Sequence, residues 1–113
     1  MIKIVMDTNK DCLRLFNVGI PNARLIKRDE EIVGMIDFET HKSCVKIFYI
    51  TIFEEYKRQH IAADVINMIK EMNKGKYMYG DSLPGALKFW ESVGAEFDED
   101  PDEDYLTPFH IEC

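Results

Sequence analysis

Hydrophobic and polar positions change their period along the chain, and each change predicts a new element. Weak alternation at residues 2–6 predicts a short strand. The Thr8-x-x-Asp11 spacing then fits a capping box that opens a brief helix through about Asn17. The buried side of this helix is predicted to comprise Leu13, Phe16 and Ile20.

Residues 23–53 follow a strand pattern. Three β-rich runs, at residues 24–27, 32–38 and 44–53, are separated by two polar turns, which predicts an antiparallel meander. The third run is apolar on both faces over residues 45–53. We therefore predict a central strand that is covered on both sides.

A helical period replaces the strand pattern after this run. A helix is predicted over about residues 58–73, and Gly75 ends it. The buried stripe of this helix is predicted to comprise Ile61, Val65, Ile66, Ile69 and Met72. Residues 76–79 then predict a short strand.

The C-terminal part predicts one more helix and one more strand. Ser82 is a favoured N-cap residue and Pro84 suits a first helical turn, so a helix is predicted over residues 84–93. Its inward side is predicted to comprise Ala86, Leu87 and Trp90. Residues 105–111 are β-prone, and Pro108 among them favours an edge strand.

This order of elements predicts an α/β (α+β) fold in a single domain, residues 1–113. The sheet is expected to be mixed and mainly antiparallel, with flanking helices. The strand, helix and strand within residues 45–79 are expected to form a right-handed parallel unit. A length of 113 residues and a hydrophobic fraction of 46% suit one globular domain.

Composition excludes several classes of protein. No apolar run approaches the roughly 20 residues that a spanning helix needs, so no membrane role is expected. The N-terminus becomes acidic at Asp7, too early for a secretory signal. The three cysteines, Cys12, Cys44 and Cys113, are widely spaced and form neither a disulfide framework nor a metal-ligand pattern. This pattern favours a reduced, cytoplasmic protein with no metal.

The net charge of −7 comes from one segment. Seven acidic residues lie within residues 96–104, and the rest of the chain is neutral. No basic surplus remains to neutralise phosphates, so nucleic acid is not an expected partner. The acidic segment either attracts cationic amines or is simply a solvated loop.

The junction at residues 53–63 is the candidate site of chemistry. A buried strand ends there and a helix begins, and the first turn of a helix offers unpaired amides and partial positive charge to an anion. Lys57 and Arg58 add formal positive charge at the same place. The junction is therefore either a phosphate or pyrophosphate site or a solvated basic turn.

Two motifs resemble those of the GCN5-related N-acetyltransferase (GNAT) superfamily. The strand at residues 45–53, followed by Tyr56-Lys57-Arg58-Gln59-His60-Ile61-Ala62, is similar to the family's strand and its V-x-P-x-Y-R-G-x-G-I-G/A loop. Residues 83–97, which include Phe89-Trp90 and Gly94, are similar to its downstream A-x-x-F-Y-x-x-x-G-F element. The two motifs occur in the family's order, and the resemblance covers roughly residues 23–110.

The resemblance implies an acetyl-CoA-dependent N-acetyltransferase acting on a small amine or a protein amine. Acetyl-CoA, the co-substrate, would lie between the strands at residues 45–53 and 76–80. The pantetheine arm would pair with the first of these strands, and the pyrophosphate would rest on the amides of residues 57–62. The implied cofactor-binding residues are Ile50, Ile52, Lys57, Arg58, Gln59, His60, Ile61, Ala62, Phe89 and Trp90.

Three departures from the family's pattern favour an alternative. His60 stands where the loop has a glycine that lets phosphate approach the backbone. Trp90 replaces a tyrosine that often protonates the leaving thiolate, and an indole N–H only donates hydrogen bonds. Only residues 8–17 remain for a segment that usually holds two helices. The alternative is therefore a catalytically inactive binding or protein-interaction module with this fold, or an unrelated α/β interaction domain.

No general base or acid is assigned by the sequence, so the catalytic residues stay open. Lys46, Cys44 and Tyr49 are the ionisable residues on the strand at residues 44–53, and Glu54 and Glu55 follow it. Tyr77 and Tyr79 are alternative acids. A C-terminal edge strand would also allow a homodimer.

Overall fold

A computed structural model describes residues 1–17, 23–102 and 104–113 of the chain. Within these residues, seven strands form one sheet, and three α-helices pack on it. The strands are β1 (Ile2–Met6), β2 (Ala23–Arg28), β3 (Glu31–Thr40), β4 (Cys44–Ile52), β5 (Tyr77–Ser82), β6 (Glu96–Phe97) and β7 (Thr107–Glu112). The helices are α1 (Asp11–Phe16), α2 (Ile61–Met72) and α3 (Leu87–Ser92).

The strands follow the spatial order β1-β2-β3-β4-β5-β7-β6. Neighbouring strands are antiparallel except for β4 and β5, which are parallel and joined through α2. This arrangement confirms the predicted mixed, mainly antiparallel sheet, the meander and the central place of β4.

Helices lie on both faces of the sheet. The larger core joins the buried stripe of α2 to Trp90 of α3 and to strand residues such as Ile36, Val45 and Ile111. A smaller core on the other face joins Cys12 of α1 to Ala23, Leu25 and Met35. None of the helices in the described ranges is long and apolar enough to cross a membrane.

The start and the buried side of α1 differ from the prediction. The Asp7 carboxylate, and not a Thr8 capping box, accepts hydrogen bonds from the N–H groups of Asp11 (2.7 Å) and Cys12 (2.8 Å). Fixed in this way, the helix buries Cys12 and leaves Leu13 half exposed. Phe16 is partly buried and stacks on Phe53 at 4.6 Å, whereas Ile20 lies outside the described residues.

The predicted stripe of α2 is confirmed at four of its five positions. Ile61, Val65, Ile66 and Ile69 are buried, but Met72 is 71% exposed. Four residues after Ile69, Asn73 takes the inward position instead. Its side-chain amide donates to the Ile69 carbonyl at 2.8 Å, so the stripe ends on a satisfied polar group.

The segment after β5 is also corrected. Ser82 is the last residue of β5, where its hydroxyl donates to the Leu83 carbonyl, and is therefore not an N-cap. Pro84–Ala86 forms a 3₁₀ turn that precedes α3. Trp90 is buried as predicted, whereas Ala86 and Leu87 are only half buried.

The edge position predicted from Pro108 is wrong. β7 lies between β5 and β6, because the two residues of β6 pair with it. Pro108 has no N–H to donate. Its carbonyl nevertheless accepts a hydrogen bond from the Asp98 N–H, just after β6, at 2.9 Å. β7 is therefore not the free edge strand on which the expected homodimer was based, and the homodimer stays a prediction.

Candidate functional site

The parallel strands β4 and β5 pair over three residues and then separate. Their register runs from Cys44 opposite Tyr77 to Lys46 opposite Tyr79. One residue later the strands still nearly touch, since a Cβ on Gly80 would lie 2.8 Å from the Ile47 carbonyl oxygen. Beyond this point β4 has lost its partner on that side.

A β-bulge lies where the separation begins. Asp37 of β3 pairs with Tyr49, but the next residue, Phe38, pairs with Ile47, so Phe48 is an extra residue in β4. A bulge bends its strand and strengthens the local twist. Phe48 and Tyr49 are 45% and 40% exposed. The prediction that β4 is covered on both sides is therefore wrong for its second half.

The backbone of the second half of β4 presents polar groups to the gap. The Phe53 N–H donates to the Val33 carbonyl of β3 at 2.9 Å, and the Thr51 carbonyl lies against Gly34 of the same strand. Because backbone groups alternate in direction along a strand, the N–H and C=O groups of Ile50 and Ile52 face away from β3.

The separated strands enclose a cleft of about 820 Å³ together with the N-terminus of α2 and the start of α3. Nine of the ten residues that the sequence nominated for the cofactor line this cleft: Ile50, Ile52, Lys57, Arg58, His60, Ile61, Ala62, Phe89 and Trp90. Gln59 does not line it. Its side-chain oxygen accepts a hydrogen bond from Arg28, and its amide nitrogen reaches the Glu55 carbonyl at 3.4 Å.

The loop before α2 keeps a backbone conformation that glycine usually adopts. Arg58 and His60 both have left-handed backbones, with φ angles of 66° and 61°. They stand at the two glycine positions of the V-x-P-x-Y-R-G-x-G-I-G/A pattern. A left-handed conformation costs a residue with a side chain about 1–2 kcal/mol. The contacts of the folded chain must therefore offset this cost at both residues. Neither residue type requires this conformation, so its one signal in the sequence is that both residues stand at glycine positions of this pattern.

The N-terminus of α2 offers backbone amides to the cleft. The first intrahelical hydrogen bond runs from the Asp64 N–H to the His60 carbonyl at 3.0 Å. The amides of Ile61, Ala62 and Ala63 precede this bond, and no side chain caps the helix. These amides and the partial positive end of the helix favour an anion. The helix begins at Ile61 and not at residue 58 because the left-handed residues cannot be helical.

The loop is also held from its outer side. Tyr56 donates its hydroxyl to a Glu31 carboxylate oxygen at 2.8 Å, and this hydrogen bond raises the pKa of Tyr56. The Arg28 guanidinium lies 5.2 Å from the same ring. These contacts tie the loop to β2 and β3. Tyr56 is therefore a supporting residue of the cleft as well as part of its lining.

Trp90 and Phe89 form an aromatic wall of the cleft. The Trp90 ring stacks on Phe109 at 4.2 Å and meets Phe89 edge-on at 5.0 Å. Trp90 is only 5% exposed. This packing makes Trp90 a core residue that borders the cleft.

Most of the candidate bases and acids lie outside the cleft. Glu54 binds Lys57 at 2.9 Å, and this hydrogen bond lowers the pKa of Glu54. Of the seven candidate bases and acids, two line the cleft, Lys46 and Tyr49. The five that do not are Cys44, Glu54, Glu55, Tyr77 and Tyr79.

Asp81 also lines the cleft, although the sequence pattern does not predict it there. The sequence pattern predicts that this strand ends at residue 79. In the structure β5 continues through Asp81 to Ser82, because β7 pairs with it there. In the described part of the chain, no three His, Cys, Asp or Glu side chains are grouped as metal ligands. All three cysteines are free.

No protein-family model and no curated protein matches the sequence. Several solved structures share its fold. Arabidopsis thaliana Naa50, in complex with the bisubstrate analogue CoA-Ac-MVNAL, is 15% identical with a TM-score of 0.75, and 99% of each chain is covered. An acetyltransferase from Thermus thermophilus is 14% identical with a TM-score of 0.77, over 100% of this chain and 97% of that one.

A GNAT family acetyltransferase from Elizabethkingia anophelis, with acetyl-CoA bound, is also similar. It is 14% identical with a TM-score of 0.71, over 100% of this chain and 97% of that one. Similarity at this level of identity is a similarity of fold. The chain therefore has the fold of the GNAT acetyltransferases, as the two motifs in its sequence predict.

Proposed function

We propose that this chain is an acetyl-CoA-dependent N-acetyltransferase that acts on a small amine or a protein amine. The observation that carries the proposal is that one cleft combines the uncapped N-terminus of α2 with the unpaired half of β4. Solved structures of the same fold contain acetyl-CoA or a CoA-based bisubstrate analogue. The cytoplasm, expected from the cysteines, is the proposed compartment.

The residues present fit acetyl-CoA. Its pyrophosphate would rest on the amides that open α2, with Lys57 and Arg58 beside them. Its pantetheine amides would bind the outward N–H and C=O groups of Ile50 and Ile52, in the manner of an added strand. The Gln59 side chain binds Arg28 and lies outside the cleft, so its proposed contact with the pyrophosphate is through its backbone amide alone.

Acetyl-CoA supplies an acetyl thioester, which an amine attacks at the carbonyl carbon. The C–N bond forms as the C–S bond breaks, and the proton lost by the amine balances the thiolate that leaves. The contribution of this chain is positioning, since orienting two reactants removes much of the barrier. The aromatic wall of Phe89 and Trp90 keeps water from one side of the cleft.

One observation favours a binding module without turnover as the second candidate. The position where the resembling family often has a tyrosine acid is Trp90, whose ring is stacked in the core. Such a chain would bind acetyl-CoA without transferring the acetyl group at a useful rate.

Calorimetric titration with acetyl-CoA tests the proposal, with adenosine diphosphate as a control for the nucleotide end. We expect saturable binding of acetyl-CoA that is tighter than that of the control, because the pantetheine arm adds contacts to β4. Release of CoA thiol in the presence of an amine then distinguishes the enzyme from the silent module. Absence of binding at millimolar acetyl-CoA would overturn both candidates.

A further inference from the structure

One face of the sheet is uncovered over its C-terminal strands. The cores place α2 and α3 on one face of the sheet and α1 on the other face, where it packs on β2 and β3. In β7, Thr107, Phe109 and Ile111 are buried, and the residues between them are not. Over β4, β5, β7 and β6, the side opposite α2 and α3 therefore meets solvent, as far as the described ranges extend.

The strand register brings particular side chains together on this uncovered face. Tyr79 of β5 lies opposite His110 of β7, and His110 lies opposite Glu96 of β6. Directly paired residues of antiparallel strands project to the same side. By the same register, Tyr77 shares the face with Glu112, and Asp81 lies two residues further along β5.

The centre of the uncovered face is aromatic. The Tyr77 and Tyr79 rings are 5.8 Å apart, and the Lys46 Nζ lies 4.8 Å from the Phe48 ring and 5.9 Å from the Tyr79 ring. Tyr77 and Phe48 are each almost half exposed. Aromatic faces of this kind attract ammonium and guanidinium groups, and Lys46 already shows that this one does.

The rim of the uncovered face is acidic. Its four carboxylates are Asp81, Glu96, Asp98 and Glu112. Among the described residues of this face, the basic groups beside them are Lys46 and His110. The His110 ring nitrogens bind Asp98 at 2.6 Å and Glu96 at 3.4 Å. The rim continues into the exposed acidic residues Glu99, Asp100, Asp102 and Asp104. The face therefore complements a positively charged ligand.

The uncovered face is continuous with the cleft. Lys46, Phe48 and Asp81 belong to both surfaces. A ligand bound on the face would extend to the end of the gap between β4 and β5. This gap is where the proposed function requires the attacking amine.

We propose that the uncovered face is a docking surface for a basic peptide segment, and that the acceptor amine belongs to this peptide. The proposal rests on the proposed function for the acetyl transfer, but the docking itself does not require it. From β4 to β6 the face crosses four strands, roughly 14 Å at the usual spacing. A peptide of about five residues spans that width, and its cationic side chains match both the aromatic centre and the acidic rim.

Binding of a labelled peptide in the absence of acetyl-CoA tests the docking. The probe is a fluorescein-labelled octapeptide of alternating lysine and alanine, and its counterpart has glutamate in place of lysine. We expect saturable binding of the lysine peptide alone, weakened by salt because exposed charges are screened. Equal binding of the two peptides would overturn the proposal.

Two double variants with the same change of net charge locate the binding. Asp81→Asn with Glu112→Gln neutralises the rim, and Glu71→Gln with Glu91→Gln neutralises two exposed carboxylates on α2 and α3. We expect the rim variant to weaken the lysine peptide roughly fivefold, the effect of two exposed ion pairs, and the helix variant to leave it unchanged. Equal weakening by both variants would overturn the proposal. Thermal melts of both variants verify that each is folded.

Two further measurements separate the possible failures. Spermidine competes weakly if a peptide is the ligand, whereas displacement by spermidine at the peptide's own concentration would overturn the peptide assignment in favour of a small polyamine. Calorimetry with acetyl-CoA is performed on the same protein samples. Peptide binding without acetyl-CoA binding would overturn the proposed function and support the docking surface alone.

Discussion

Arg58 and His60 hold left-handed backbones on either side of a single residue, with φ angles of 66° and 61°. This pair turns the chain from the end of β4 into the first turn of α2. The sequence at these positions lacks glycine, yet the backbone has the conformation that glycine favours. His60 therefore adds a side chain at this position while its backbone keeps the left-handed conformation that glycine favours.

Replacing His60 with glycine is expected to stabilise the protein. Glycine relieves about 1–2 kcal/mol of left-handed strain, and the greater freedom of the unfolded chain offsets about 0.4–1 kcal/mol of this gain. A net gain of up to about 1.6 kcal/mol follows in the free energy of unfolding, measured with urea. Calorimetry should also show tighter acetyl-CoA binding, because the backbone becomes more accessible.

Lys10→Gly is the matched control for this prediction. Lys10 is also left-handed, with φ of 57°, but it precedes α1 and lies away from the cleft. It should gain stability without any change in affinity. A His60→Gly variant that binds acetyl-CoA more weakly than the unmodified chain would show that the imidazole contacts the ligand instead of obstructing it.

Charge reversal at the start of α2 is expected to weaken acetyl-CoA binding. Lys57→Glu with Arg58→Glu converts two favourable contacts with phosphate into repulsion, and we expect a loss of at least about tenfold in affinity. Both side chains are exposed, so the fold should persist, which circular dichroism checks. Calorimetry measures the affinity.

Lys42→Glu with Lys74→Glu makes the same change of charge elsewhere on the surface. Lys42 lies in the turn before β4 and Lys74 follows α2, and neither lines the cleft. If this pair reduces the affinity as much as the reversal at Lys57 and Arg58, the phosphates do not rest on the start of α2.

The order of the elements was predictable because the period of hydrophobic positions was strong in most of them. The cleft lining was predictable for a similar reason, since a strand end followed by a helix start defines most of that lining. The extension of β5 to Ser82 was not predicted, because Gly80 and Asp81 have weak strand preferences. Pairing with β7, some thirty residues later, supplies the order there.

The uncovered face was equally invisible in the sequence. It depends on which strands become neighbours, and Tyr79 meets His110 only through the tertiary register. Local periodicity contains no such information. The acidic segment was noted from its composition, but its contact with β7 through Asp98 and His110 is a property of the folded sheet.

Protonation of His110 is expected to stabilise the sheet edge. The hydrogen bond to Asp98 raises the pKa of His110. A raised folded-state pKa means that the stabilisation is fully present below the unfolded value, about 6.5, and is lost as the pH rises through the folded value. Urea unfolding should therefore show lower stability on the alkaline side of this transition than on its acidic side.

Asp98→Asn tests the cause of this pH dependence. Removing the carboxylate should lower the pKa of His110, which NMR titration of its ring protons measures directly. Stability should then depend less on pH over the same range. A His110 pKa that does not move in this variant would assign the shift to Glu96 or Glu112 instead.

Trp90→Tyr is expected to increase turnover and to reduce stability. The smaller ring loses part of the stacking on Phe109 and leaves a cavity, at a cost of about 1–3 kcal/mol in the free energy of unfolding. The new hydroxyl supplies a proton donor at the cleft wall, and general acid catalysis adds about 10²–10⁴-fold where the geometry is right.

Trp90→Phe makes a similar reduction in ring size without a hydroxyl, so the ratio of the two turnover rates isolates the proton donor. Release of CoA thiol with a saturating amine measures both rates, and we expect the tyrosine variant to exceed the phenylalanine variant at least about tenfold. Equal rates would show that the leaving thiolate takes its proton from elsewhere, and that Trp90 matters to this cleft only through packing.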